Sequence, residues 1–179
     1  RTCQKNLATA YLTQGYALRA KGLYREARAS MEKARARREK LRDRIGVIKA
    51  LNALSATAKD EGNFPKAFDY SSQAINLLNQ LSSRQNPKTI GNAYVTATNI
   101  LIELDFYTIP QLEKYITAAK EAYDKFEGDT SREKAIADFN LGVGYSKKGV
   151  WQKAHMLLLQ CHDIFSNKQD TSSIAKIEN

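Results

Sequence analysis

The chain has 179 residues, 42% of them hydrophobic and 26% charged, a composition that excludes collagenous, low-complexity and largely disordered proteins. Its longest uninterrupted apolar stretch runs only from Met156 to Leu159, far short of the roughly 20 residues a membrane-spanning helix needs. Lys and Arg number 28 against 19 Asp and Glu, and the excess is concentrated: residues 1–50 hold 14 basic and 4 acidic side chains, the remainder 14 and 15.

Taken in chain order, the elements are all helical. Ala, Leu, Lys, Glu, Gln and Arg dominate long segments, and no segment alternates like a strand. Helices are expected over residues 5–20, 24–44, 46–60, 65–82, 88–104, 110–126, 132–147 and 151–166. Pro65, Pro87 and Pro110 each stand where a helix would begin, the position at which a missing N–H costs nothing. Thr130 with Glu133 has the spacing of a capping box. Ser172 to Asn179 reads as the first turns of one more helix that stops within the element, so the chain is expected to be a fragment of a larger protein.

An internal period joins these helices into pairs. Gly22-Leu23-Tyr24-Arg25-Glu26-Ala27, Gly62-Asn63-Phe64-Pro65-Lys66-Ala67 and Gly149-Val150-Trp151-Gln152-Lys153-Ala154 share the form Gly-x-aromatic-x-x-Ala. Seven residues before each glycine stands a small residue, Gly15, Ser55 or Gly142, and seven after each alanine another, Ala34, Ala74 or Cys161. A fourth copy places Tyr94, Thr98, Leu101, Asp105 and Tyr107 in the same slots, and two extra residues around Pro110 bring Leu112 and Ala119 into line. Successive copies are offset by 40, 43 and 44 residues. A period of this size marks a stack of helical hairpins, each too small to bury its own apolar stripe.

The pattern resembles the tetratricopeptide repeat, in its longer-period form found in kinesin light chains and bacterial signalling proteins. Leu141-Gly142, Tyr145, Gly149, Trp151 and Ala154 carry the likeness best. The third copy lacks the turn glycine and the early alanine, and no copy has the family's terminal proline. The resemblance implies an all-α, right-handed superhelical solenoid of four helical hairpins with the start of a fifth, forming one domain over residues 1–179. Its repeats would span about 5–44, 45–86, 87–129 and 130–170. The first helix of each pair (type A) would line a concave face, and the aromatics would fill the space between neighbouring hairpins.

Catalytic and cofactor motifs are missing from the sequence. His155 and His162 lie seven residues apart, about 10 Å along a helix, and Cys161-His162-Asp163 are consecutive helical residues that point about 100° apart and cannot form a triad. Gly142-Val143-Gly144 falls in the middle of a helix, where close packing explains it. No phosphate loop, metalloprotease or nucleophile-elbow motif occurs. The expectation is a non-enzymatic module with no catalytic residue, metal or cofactor. Cys3 and Cys161 form no CxxC pair and read as free thiols, consistent with a reducing, cytoplasmic setting.

Two surfaces are candidates for binding. Transferring the family's inward-facing type A positions gives a peptide groove of Tyr16, Arg19, Lys49, Asn52, Lys59, Asn99, Phe139, Asn140 and Lys147, with Leu12, Ala53, Val95, Thr96 and Ile136 also facing it. Asparagine amides both donate and accept, so they can pair with the backbone of an extended peptide whatever its sequence. The other surface is the basic helix 25–44, on which Arg28, Arg35, Arg38 and Arg42 flank one side and Lys33, Arg37, Lys40 and Arg44 the other. It could dock an acidic protein or a nucleic acid, or be a solvated face supported by pairs such as Arg28 with Glu32. The expected function is thus a protein- or peptide-binding scaffold, the recognition or regulatory part of a signalling protein. A nucleic-acid-associated scaffold is the alternative.

Overall fold

The structure, a computed structural model, describes residues 2–81 and 87–167 together with Ser173 and Ile177. Among these residues there are eight α-helices and no strand: α1 (Thr2–Ala20), α2 (Tyr24–Lys40), α3 (Arg44–Asp60), α4 (Phe64–Asn79), α5 (Pro87–Glu103), α6 (Ile109–Asp124), α7 (Ser131–Lys147) and α8 (Trp151–Asn167). None is long and apolar enough to cross a membrane. The chain is an all-α series of helical hairpins, as the repeat predicts.

Turn chemistry sets the boundaries. After α1, α3 and α7 the chain enters the left-handed region at Gly22 (φ 75°), Gly62 (φ 80°) and Gly149 (φ 75°). At each, paired backbone hydrogen bonds such as Gly62 N to Lys59 O and Asn63 N to Ala58 O close a Schellman motif. The third hairpin makes the same turn without glycine, through Asp105 at φ 57°. A further turn of this kind lies where none is signalled. Arg42, at φ 54°, donates to Glu39 O, Asp43 N donates to Arg38 O, and α2 ends at Lys40.

The helix expected over 24–44 is therefore cut short. Asp43 becomes the N-cap of α3 and accepts from Gly46 N at 3.0 Å. Arg42 sits in the turn, and Arg44 is the first residue of α3, donating to Gln80 O at 3.1 Å. Proline placement fares as expected, with Pro65 and Pro110 in the first turns of α4 and α6 and Pro87 the first residue of α5. The capping box is elsewhere. Thr130 is the N-cap of α7 but makes no capping bond, because its hydroxyl turns back to Tyr123 O; Asp129 receives Ser131 N instead, and Glu133 is drawn to Lys88. The box that forms joins Thr108 and Gln111 around Pro110.

The contacts divide the chain into two compact units, Arg1–Gln85 and Asn86–Asn179. In the first, α1 pairs with α2 and α3 with α4, α2 packs on α3, and α1 touches α3; the second repeats this plan with α5 to α8. In both, the type A helices meet one another and the type B helices do not, so each unit's hairpins converge on the type A side. Close approach explains the small residues. A Cβ on Gly15 would lie 2.6 Å from Met31 Cγ, and one on Gly142 would lie 3.1 Å from Leu158. Ser55 instead donates to Ala67 O at 2.5 Å, and the equivalently spaced Ala27, Ala34, Ala67, Ala74, Ala154 and Cys161 are all buried.

Gly144 serves the opposite side of α7. A Cβ there would collide with the Leu112 side chain, and the Gly144 carbonyl accepts from the Tyr107 hydroxyl at 2.8 Å. Tyr107 is the turn aromatic that fills the space between hairpins as expected, whereas Tyr24 is half-buried, Phe64 is 51% exposed and Trp151 66%. Of the extra helix expected over 172–179, Ser173 and Ile177 are helical; Ser173 is buried and Ile177 packs on Ala135, Cys161 and Phe165. The other residues of that segment lie outside the described ones.

Candidate functional site

Asn99, Phe139 and Asn140 come together. They line a cleft of about 450 Å³ with Val95, Thr96, Glu103, Arg132, Ile136, Phe165 and Ser173. Helices α5 and α7 supply the walls, because the hairpin plan sets these two type A helices side by side. Ile136 and Phe139 are half-buried against the core cluster of Ala135, Cys161 and Phe165, so the floor is apolar and anchored. Asn140 is 7% exposed; Asn99 is half-buried and donates to Glu103 Oε1 at 3.3 Å, one turn along α5. Asn92 Oδ1 accepts from Tyr123 OH at 2.8 Å, fixing the start of α5 against α6. The exposed Glu103 stands in the last turn of α5 and the exposed Arg132 in the first turn of α7, so the cleft has opposite charges on its rim.

Lys147, grouped with these residues by the sequence pattern, does something else. Its ammonium donates to Ile102 O at 2.9 Å, satisfying a carbonyl in the last turn of α5 and complementing the negative end of that helix. Glu103, Arg132, Phe165 and Ser173 are the cleft residues that the repeat pattern did not supply. Phe165 escaped because it belongs to α8, a type B helix. Glu103 sits four residues after Asn99, a spacing that could have found it.

The remaining groove candidates lie in the first unit. Tyr16 is 46% exposed, with burial of its surroundings raising its hydroxyl pKa against the opposing charge of Arg19. Arg19 meets Asp60 at 2.7 Å, and Lys59 reaches the same carboxylate at 3.7 Å. Lys49 is exposed and Asn52 is 6% exposed. Leu12 and Ala53 face the core, where they pack with Met31 and Leu54. The Arg19 charge is spent on joining α1 to α3.

The basic candidates also have structural partners. Arg28 pairs with Glu61 and Arg38 with Asp43, while Arg35 holds both Glu32 (3.4 Å) and Glu39 (3.2 Å). Arg38 also donates to Thr9 Oγ1 at 2.6 Å, tying α2 to α1. Burial pushes the Asp43 carboxyl up, but the Gly46 amide, the Arg38 guanidinium and the charge of Lys5 together outweigh it and hold its pKa below the usual carboxylate value. Arg42 shares a shallow cavity of about 330 Å³ with Glu39, Asp43, Arg44, Val47 and Leu77 at the α2–α3 turn. The four arginines expected on one helical face are thus three ion-paired side chains and one turn residue.

His155 is exposed, and Cys161 is buried with its thiol directed at Ala135 O at 3.2 Å. Burial raises the Cys161 pKa to about 12, with the Asp138 charge adding and Lys120 opposing. His162 approaches Ser166 Oγ at 3.5 Å on the next turn. Among the described residues no group of three His, Cys, Asp or Glu could hold a metal ion.

Paired helices closed by left-handed turns, with side-by-side type A helices around a cleft, define a helical-hairpin repeat protein. Residues 6–80 match the tetratricopeptide repeat family. Repeats of this family mediate protein–protein interaction. The nearly identical TPR-like repeats of a Podosopora anserina putative kinesin light chain are similar at 15% identity and a TM-score of 0.40, covering 93% of this chain and 98% of that one. A single-substitution variant of those repeats is similar at the same identity and TM-score, covering 94% and 98%. No curated protein matches the chain.

Proposed function

We propose that the chain is a non-enzymatic scaffold that holds a protein segment in extended conformation at the α5–α7 cleft, as the recognition part of a signalling protein. The observation that carries this reading is the pairing of an apolar floor (Ile136, Phe139, Phe165) with the amides of Asn99 and Asn140 in one cleft. An apolar side chain of the bound segment occupies the floor, and the amides receive its backbone N–H and C=O groups. Glu103 and Arg132 select charges flanking that anchor.

The test is selection of short peptides from a random display library on the purified chain, followed by titration of the winners. Phe139→Ala should weaken the selected peptides about tenfold or more, as loss of an aromatic anchor does, and Asn99→Ala about fivefold, as loss of a hydrogen bond does. If both variants keep the parent's circular dichroism and melting curve and still bind with parental affinity, the cleft is not the site.

A further inference from the structure

The ion pairs of α2 leave one face of the helix uncompensated. Arg35 draws Glu32 and Glu39 to its own side, and the Tyr70 hydroxyl holds Glu32 there at 3.0 Å. Lys33, Arg37 and Lys40 follow at i, i+4 and i+7, which sets them on one face over about 10 Å of axis. Among the described residues none of the three meets a carboxylate. Lys33 and Arg37 instead flank the Tyr11 ring, at 5.7 Å and 5.3 Å from its centroid, and Arg37 donates to Gln4 Oε1 at 3.2 Å. A ring and an amide orient these cations without neutralising them. The nearest acid on that face of α2, Glu26, lies about 10 Å before Lys33. Lys33 and Lys40 are exposed and Arg37 is half-buried.

From this arrangement we propose that Lys33, Arg37 and Lys40 bind the phosphate backbone of a nucleic acid, without reading its sequence. The choice of partner follows from what surrounds the charges. Helix α2 exposes no large apolar side chain, and α1 exposes only Leu7 and Tyr16. A protein partner needs an apolar centre to bury, whereas a phosphate backbone needs charge alone. The Tyr11 ring is occupied by its two cations, so it offers no platform for base stacking.

Anisotropy titration of a labelled mixed-sequence DNA duplex of about 20 bp against the full chain tests this. Three phosphate contacts give a log–log salt slope of about −2.7, so the parent should lose about 40-fold in affinity between about 50 and 200 mM salt. K33E/R37E/K40E should abolish that binding. K114E/K125E/K153E, which changes net charge equally at lysines of the second unit, should retain most of it. The proposal is overturned if the α2 variant, folded by circular dichroism, keeps the parental slope, or if the control variant loses as much affinity. It is equally overturned if a polyglutamate peptide of about 20 residues binds more tightly than the duplex, since the partner is then an acidic protein.

Discussion

Replacing Arg42 by glycine should stabilise the chain. Arg42 occupies the left-handed region at φ 54°, where an L-residue bears a steric cost of about 1–2 kcal/mol that glycine avoids. Glycine returns about 0.4–1 kcal/mol of this through its larger unfolded-state entropy, leaving a net gain of about 0.5–1 kcal/mol. The Schellman hydrogen bonds of the turn, Arg42 N to Glu39 O and Asp43 N to Arg38 O, are made by the backbone and survive the change. Asp105→Gly is the internal comparison. Asp105 is also left-handed, at φ 57°, but aspartate tolerates that region better, and its carboxylate meets Lys148 at 2.7 Å. Its gain should be close to zero. Urea denaturation of the two variants beside the parent reads both numbers. If Arg42→Gly leaves the midpoint unchanged or lowers it at constant m-value, backbone strain at this turn is negligible and does not explain why α2 stops at Lys40.

Asp43→Asn keeps a side chain able to cap α3 while removing the charge that faces Arg38. Because the folded Asp43 pKa lies below its unfolded value, the carboxylate stabilises the fold above pH about 4, and this contribution is lost as pH falls through the depressed folded pKa. The variant should therefore cost about 1–2 kcal/mol at pH 7, and its deficit should shrink steadily as pH is lowered below about 4; a deficit that stays constant throughout the acid range in which the chain remains folded would mean the charge is irrelevant. Thiol labelling separates the two cysteines, since Cys3 is exposed and Cys161 buried with its pKa raised to about 12. Iodoacetamide at neutral pH should modify Cys3 in the native chain and Cys161 only after denaturation, and prompt native labelling of Cys161 would refute its packed position.

What the sequence revealed follows from how local each interaction is. The Gly-x-aromatic-x-x-Ala copies are local signals of turn and close approach, and they placed the four hairpins correctly. The turns at Arg42 and Asp105 use the same backbone geometry with residues that do not announce it, so the long basic segment read as one helix. Gly91 passed unnoticed for a related reason. A Cβ there would overlap the Tyr123 ring, but nothing nearby in sequence identifies that partner. Helix spacing pairs Arg28 with Glu32, whereas the fold supplies Glu61 to Arg28 and leaves Glu32 to Arg35, because Glu61 is distant in sequence. The cleft is legible on α5 and α7, whose type A positions carry the groove pattern, and illegible where the type B helix α8 contributes Phe165.

The two proposed binding surfaces can be tested apart because each rests on interactions internal to one unit. In a hairpin array, stability is close to a sum of each repeat's own terms and those with its immediate neighbours. Phe139, Asn99 and the apolar floor depend on α5, α7 and α8. Lys33 and Arg37 depend on α1, which supplies Tyr11 and Gln4, and Lys40 on α2 ending where it does. Charge reversal on α2 therefore leaves the groups that shape the cleft in place, and truncating Phe139 leaves Arg35 holding Glu32 and Glu39 off the basic face. The distribution of charge points the same way. With 14 basic and 4 acidic residues in the first 50, a polyanion is attracted to the first unit, while the cleft, with Glu103 and Arg132 on its rim, discriminates by shape and hydrogen bonding and should bind with little dependence on salt.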